Sequence, residues 1–228
     1  LAAFGSLLEA DPRTRLTAAP WASVLASLRF ALATTLIAGS LGLMAALVVG
    51  YRRGWLARGL DALVMLPLGT SAVIVGFGFL VSLDTPPLDL RTSVLLIPIA
   101  HALIALPFVL RSVVPVVRSI DDRLREAAAV LGASPRRAWW EVDGPILARA
   151  ALVGAGFAFA VSLGEFGATL FIARPDTVTI PVAIFRLLGQ PGAANFTTAM
   201  ALAVVLMVLT ASAVLLIERL RGGGPQPF

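Results

Sequence analysis

The sequence of 228 residues contains no cysteine and no lysine, so all 18 of its basic residues are arginine. The absence of cysteine excludes disulfides, thiolate metal sites and cysteine nucleophiles. The absence of lysine excludes the lysine of a phosphate-binding P-loop and any Schiff-base chemistry. Charged residues are also scarce, at 14% of the chain, whereas a soluble domain carries about a quarter.

Apolar residues make up 58% of the chain and occur in long runs. Because a run of about 20 apolar residues crosses a bilayer as a helix, the sequence predicts an all-α membrane protein. We expect five spanning helices, at approximately Val24–Gly50, Leu60–Leu83, Ser93–Val117, Ile146–Ile172 and Phe196–Ile217. The third is interrupted by prolines and is expected to be kinked.

The arginines predict the orientation in the membrane. One side holds 11 of them, with Arg111 counted in the central loop, and the other side holds 5. The positive-inside bias places the central loop, at about 118–145, in the cytoplasm. The membrane domain is then 24–221, with an extracytoplasmic segment at 1–23 and a flexible cytoplasmic tail at 222–228. Because the chain begins with Leu1 rather than Met, we expect a piece of a longer polypeptide.

The central loop contains the pattern of two short helices. Ser119 and Asp122 have the spacing of a capping-box variant, and an apolar stripe follows at Ile120, Leu124, Ala127 and Leu131. Gly132 is expected to end this helix in a left-handed conformation. Ser134 and Pro135 are typical of the start of a second helix, which we expect to end at 143–145. From the residues alone, the first helix lies on lipid headgroups or contacts a partner protein.

This loop resembles a known motif. The run Glu126-Ala127-Ala128, then Gly132, then Val142-x-x-Pro145, resembles the EAA loop in permease subunits of type I ATP-binding-cassette importers. The glycine spacing and the final proline match, Val142 replaces isoleucine, and Gly144 replaces leucine. The resemblance implies a coupling helix that inserts into a groove of a cytoplasmic ATPase subunit. The residues it implies for coupling are Leu124, Glu126, Ala127, Ala128, Leu131, Gly132, Arg136 and Pro145.

The resemblance also implies the partners and the location. They are a cytoplasmic ABC ATPase dimer, an extracytoplasmic substrate-binding protein, a second permease half and membrane lipid, with no nucleic acid. ATP and magnesium would be bound by the ATPase, so no cofactor is expected in this chain. The location implied is a prokaryotic cell membrane, which the chain crosses several times. Because the sequence has no metal cluster, nucleophile triad or catalytic acid pair, we expect a transport subunit rather than an enzyme.

The segment Ser162–Gly192 indicates which solute the importer would transport. It resembles permeases of iron(III), thiamine and molybdate/sulfate importers, and its later part is closer to the iron(III)/thiamine branch. That resemblance implies iron(III) or thiamine as cargo and the later half of a fused permease, with five of six helices present. One alternative is a free-standing, homodimeric permease for molybdate or sulfate. An alternative of another class is a non-pumping channel or a membrane-anchored interaction protein.

Two ionisable residues, His101 and Glu165, fall inside predicted spans at similar depth. Such groups are costly in a membrane and commonly face a bundle interior or a water-filled path. With Ser162 and Thr169 they are candidates for the translocation path or its gate. The alternative is a structural role, with hydrogen bonds to Ser162, Thr169 or a backbone carbonyl. No metal site is expected. Glycines in the second and fourth spans, Gly76 and Gly78 among them, suggest close helix packing.

Overall fold

The computed structural model describes residues 20–83 and 90–222, and in these ranges it contains helices and their connections but no strand. The described chain confirms the all-α prediction. Residues 1–19 of the expected outer segment and 223–228 of the expected tail lie outside the described residues. Residues 20–23 and 222, which were assigned to those two segments, belong to helices.

Ten α-helices follow one another along the described chain. They are α1 Pro20–Tyr51, α2 Trp55–Met65, α3 Ala72–Ser82, α4 Leu96–Ser119, α5 Asp122–Val130, α6 Pro135–Ala138, α7 Gly144–Gly164, α8 Thr169–Ile172, α9 Ile180–Leu188 and α10 Ala193–Gly222. A 3₁₀ turn at Leu66–Gly69 follows α2, and a π-helical turn at Trp139–Asp143 joins α6 to α7.

Four helical segments of the described chain are long and apolar enough to span a membrane: α1, α4, the continuous helix Pro135–Gly164, and α10. The second predicted span is broken instead. The part Trp55–Gly69 meets α3 at an angle of 102°, so the count reaches five only if this bent pair crosses as one span. The break follows from Pro67, which lacks a backbone N–H, and from Ser71, whose backbone is extended.

Helix α4 lies at the centre of the bundle, packed between α1 and α7. Pro107 and Pro115 lie inside it without ending it. Close approach of the three helices depends on small residues: a Cβ at Gly42 would lie 2.7 Å from Val109, and one at Gly154 would lie 3.2 Å from the same residue. The long central helix is thus held by its neighbours despite its prolines.

The fourth predicted span ends earlier than expected. Helix α7 stops at Gly164, because the backbone of Glu165 is extended, and the short α8 follows. Helix α9 follows in the segment after α8. Its residues Ile180, Val182, Ala183 and Leu187 are fully buried against α10 and the start of α1. This helix is therefore packed on the bundle.

Candidate coupling site and buried polar network

Helix α5 lies at the position where the sequence predicts a coupling helix. Its N-cap is Asp121, whose carboxylate accepts a hydrogen bond from the backbone of Arg123 at 3.0 Å. The expected cap, Ser119, is instead the last residue of α4 and donates to a carbonyl of its own helix. Gly132 has φ of +81° and the N–H of Ala133 reaches the carbonyl of Ala128, which confirms the predicted glycine stop.

The second short helix begins as expected but does not end as expected. Ser134 accepts a hydrogen bond from the backbone of Arg137, and Pro135 occupies the first turn. The predicted end at 143–145 is wrong, because the backbone N–H of Gly144 bonds to the carbonyl of Trp139 in a π turn. Pro145 then lies in the first turn of α7, where its missing N–H is tolerated. The loop therefore continues into the fourth span without a break.

The residues implied for coupling lie on the surface of the described chain. Leu131 is 88% exposed and Leu124 is 47% exposed, although both are large and apolar. Ala128 is half-buried, and the other members are exposed: Glu126, Ala127, Gly132, Arg136 and Pro145. The described residues thus leave the apolar side chains of α5 uncovered, with Arg136 on α6 and Pro145 in the first turn of α7.

A buried carboxylate fixes this loop to the bundle. Asp143 is 1% exposed and lies at the start of the fourth span. The Nε of Arg125 on α5 lies 3.0 and 3.2 Å from its two oxygens, and the hydroxyl of Tyr51 donates to it at 3.1 Å. The hydrogen bond to Asp143 raises the pKa of the Arg125 guanidinium above its usual value. Helix α5, the first span and the fourth span therefore meet at this ion pair, which no periodic pattern in the sequence indicates.

The four residues proposed for a path or gate form one connected network. The Nδ1 of His101 lies 2.7 Å from the hydroxyl of Ser162, and Nε2 lies 2.6 Å from that of Thr169 and 3.3 Å from a carboxylate oxygen of Glu165. The Glu165 carboxylate also accepts hydrogen bonds from the backbone N–H groups of Ala168 and Thr169, at 2.8 and 3.0 Å. The prediction that His101 and Glu165 share a level is confirmed.

Further hydroxyl groups extend the network to the first span. Ser162 donates to Thr34, which donates to the carbonyl of Pro98. Thr169 donates to the carboxylate of Glu165 at 2.6 Å. Each ring nitrogen of His101 thus lies within hydrogen-bond distance of a hydroxyl that is itself bonded to a second group.

The network is enclosed by the chain itself. His101 and Thr169 are fully buried, and Ser162 and Glu165 are nearly so. The hydrogen bonds to Ser162 and Thr169 are those expected if His101 and Glu165 have a structural role. They connect α1, α4, α7 and α8. A solute would reach His101 only after these helices moved apart.

A further pair of charged residues was not expected from the sequence: the Arg111 guanidinium lies 3.5 Å from the Asp61 carboxylate. Arg111 was assigned to the central loop, but it lies inside α4, two turns before the end of the helix. A signal was present, because Arg111 falls within the predicted third span and Asp61 within the second.

Comparison with known proteins places the chain in a family. The family described as binding-protein-dependent transport system inner membrane component matches residues 38–221. The molybdenum transport system permease protein ModB of Mycobacterium tuberculosis is 33% identical over 207 residues, covering 85% of this chain and 76% of that protein. ModB of Escherichia coli K12 is 31% identical over 203 residues, covering 78% and 83%.

A further relative is the putative 2-aminoethylphosphonate transport system permease protein PhnV of Salmonella typhimurium. It is 30% identical over 202 residues, covering 89% of this chain and 75% of that protein. These relatives are named for molybdenum and a phosphonate, so the expected iron(III)/thiamine branch is not supported. With an EAA-like loop on an exposed helix and several long apolar helices, the chain belongs to the inner membrane components of binding-protein-dependent transport systems, the permeases of type I ATP-binding-cassette importers.

Proposed function

We propose that this chain forms half of the translocation path of an oxyanion importer and is driven through α5 by a separate ATPase. The observation that carries the proposal is the uncovered apolar side of α5, on a loop with the spacing of the EAA motif. Exposed leucines are costly in water and are typical of surfaces that bind a partner. A groove on an ATPase dimer would cover Leu124 and Leu131.

Force applied to α5 has a defined route into the membrane. Arg125 joins α5 to Asp143, and Asp143 belongs to the continuous helix that leads into α7. Separating this pair would leave a carboxylate buried, at a cost of about 3–5 kcal/mol. Movement of α5 is therefore expected to carry the inner end of α7 with it.

The cargo is proposed from the chemistry that the relatives' names share. Molybdenum in neutral water is the tetrahedral molybdate anion, and a phosphonate group is also a tetrahedral oxyanion. The named relatives therefore favour the oxyanion alternative over iron(III) or thiamine. An external binding protein would deliver the anion, and a second permease half, either a second copy or a fused one, would complete the path.

We assign the buried network to the gate rather than to direct contact with solute. His101, Ser162, Glu165 and Thr169 hold the outer parts of three spans in register. Opening of the gate would then require these helices to move as a unit or to break the network.

The proposal is tested with the complete transporter reconstituted in vesicles with its binding protein. We expect ATP-driven uptake of labelled molybdate that sulfate or a phosphonate inhibits and that iron(III) and thiamine leave unchanged. Leu131→Asp should abolish copurification of the ATPase and uptake together, because a charge replaces an apolar contact. Since Leu131 is 88% exposed, folding of the permease should be unaffected.

Arg123→Gln is the matched control, because Arg123 is exposed on the same helix. It should keep the ATPase bound and uptake near that of the unmodified chain. Uptake of iron(III) or thiamine in place of oxyanions would refute the cargo. Retention of the ATPase by Leu131→Asp would refute the role of α5.

A further inference from the structure

Arg111 lies at membrane depth on the exposed side of α4. It precedes Ser119, the last residue of the helix, by eight positions, which is about 12 Å at 1.5 Å per residue. Asp61, on α2, lies 3.5 Å from it. A charge at this depth is costly against lipid and usually faces a water-filled cavity or a bundle interior.

The guanidinium of Arg111 is incompletely satisfied by the described chain. Its contacts are the 3.5 Å pair with Asp61 and a 3.3 Å contact from Nε to the sulfur of Met65, a weak acceptor. A guanidinium has five N–H donors, and the Arg111 side chain is 57% exposed. Most of its donors therefore point away from the described residues.

Arg111 also begins a series of positive charges that leads to the cytoplasmic end. Phe108, Arg111, Pro115 and Arg118 are exposed at helical spacing, so they form one stripe of α4. Arg118 lines two adjoining clefts of about 760 and 350 Å³. The clefts share Arg52 and Arg53, and the smaller also contains Arg58 and Asp61. We call the two together the inner arginine cleft.

We propose that Arg111 binds the tetrahedral oxyanion in the inner half of the translocation path and passes it to the inner arginine cleft. This rests on the proposed function, since it takes α4 to face the path of an oxyanion importer. A guanidinium binds an oxyanion through two parallel N–H donors. The uncovered donors of Arg111 are therefore suited to a tetrahedral anion that has left its water shell.

Asp61 limits how tightly Arg111 can hold an anion. It holds a negative charge beside Arg111, and one of its oxygens is buried with no hydrogen-bond partner among the described residues. An anion on Arg111 competes with this carboxylate, which limits how tightly the anion is held. Conduction needs a site that is favourable enough to enter and weak enough to leave.

The test compares four variants of the complete transporter: Arg111→Gln, Asp61→Asn, the double variant, and Arg149→Gln as the control. Arg149 is exposed on α7. The contacts of Gly154 with Val109 and of Ser162 with His101 place it within one helical turn of the depth of Arg111. The measurements are molybdate uptake in vesicles, and binding of labelled sulfate to the purified permease–ATPase complex without binding protein.

Arg111→Gln should lower uptake and sulfate affinity on the order of tenfold, as loss of a charge-assisted hydrogen bond predicts. Asp61→Asn should strengthen sulfate binding, because the competing carboxylate is gone. The double variant should bind as weakly as Arg111→Gln, and Arg149→Gln should match the unmodified chain.

A purely structural pair gives a different pattern: both single variants lose stability and uptake alike, and the double variant recovers them. A lipid phosphate on Arg111 would leave sulfate binding unchanged, while retention of phosphatidylglycerol would depend on Arg111. Either result overturns the proposal. The unmodified transporter could instead take up no oxyanion while sulfate binding still depends on Arg111. That result would refute the proposed oxyanion cargo and support the anion-binding site at Arg111.

Discussion

At the scale of single residues, the hydroxyl of Thr169 links the two ionisable groups of the buried network. It lies between the imidazole of His101 and the carboxylate of Glu165, and the backbone N–H of Thr169 bonds to the same carboxylate. A buried polar group without a partner costs free energy, so removing this one hydroxyl would leave both ionisable groups incompletely bonded.

Thr169→Val is therefore expected to destabilise the permease by about 1–3 kcal/mol. If the network holds the gate helices together, protein abundance and uptake should fall in proportion. Thermal unfolding in detergent and uptake per molecule of folded permease measure the two effects. Thr197→Val is the control, because the Thr197 hydroxyl is exposed and bonds only within its own helix. A loss of uptake much larger than the loss of abundance would indicate direct contact with solute.

At the scale of elements, the broken second span depends on a close backbone contact with the segment before α8. A Cβ at Gly76 of α3 would lie 2.5 Å from the backbone of Ala168, whereas one at Gly78 would meet nothing within 4 Å. Backbone cannot move aside as a flexible side chain can. Two glycines on one helix thus have different roles.

Gly76→Ala is expected to lower stability by about 1–3 kcal/mol, because it forces α3 away from the segment that carries Glu165. Gly78→Ala should be neutral or slightly stabilising, since alanine favours a helix. Thermal unfolding of the two purified variants checks this directly. Equal thermal unfolding midpoints for the two variants would show that α3 does not pack against the backbone of Ala168.

The sequence predicted those features of the elements that depend on local pattern. Hydropathy runs predicted the long spans, and Gly132 predicted the end of the coupling helix, because a glycine stop is a property of a few neighbouring residues. The break beside Pro67 and the end of α7 at Gly164 were missed. The break is local to Pro67 and Ser71, but the apolar run continues across it, so hydropathy alone does not reveal it. The end of α7 and the pairing of Arg111 with Asp61 involve contacts between distant residues, of which hydropathy carries no record.

At the scale of the whole molecule, the two polar groups of residues lie toward opposite ends of the bundle. Asp143 is at the inner end of α7 and Ser162 near its outer end. The arginine distribution predicts that the loop with α5 faces the inside of the cell. Because the chain has no cysteine, a single introduced cysteine is its only thiol, and labelling of that thiol shows on which side of the membrane the residue lies.

Ala133→Cys, beside the coupling helix, should resist a membrane-impermeant maleimide in spheroplasts and react in inverted vesicles. Ala194→Cys, exposed at the start of α10, should behave in the opposite way. Labelling is read by the mass of the purified chain. Reaction of Ala133→Cys in intact spheroplasts would invert the topology and remove the basis for an intracellular ATPase partner.

The helix from Pro135 to Gly164 is continuous over 30 residues, about 45 Å at 1.5 Å per residue. It contains no loop between its two ends. If closure of the ATPase tilts the cytoplasmic end of this helix, we expect the other end to move with it, because no loop separates the two. Ser162, near that other end, bonds to His101 of the buried network. We therefore expect this one helix to transmit movement of the proposed coupling loop to the buried network at the opposite end of the bundle.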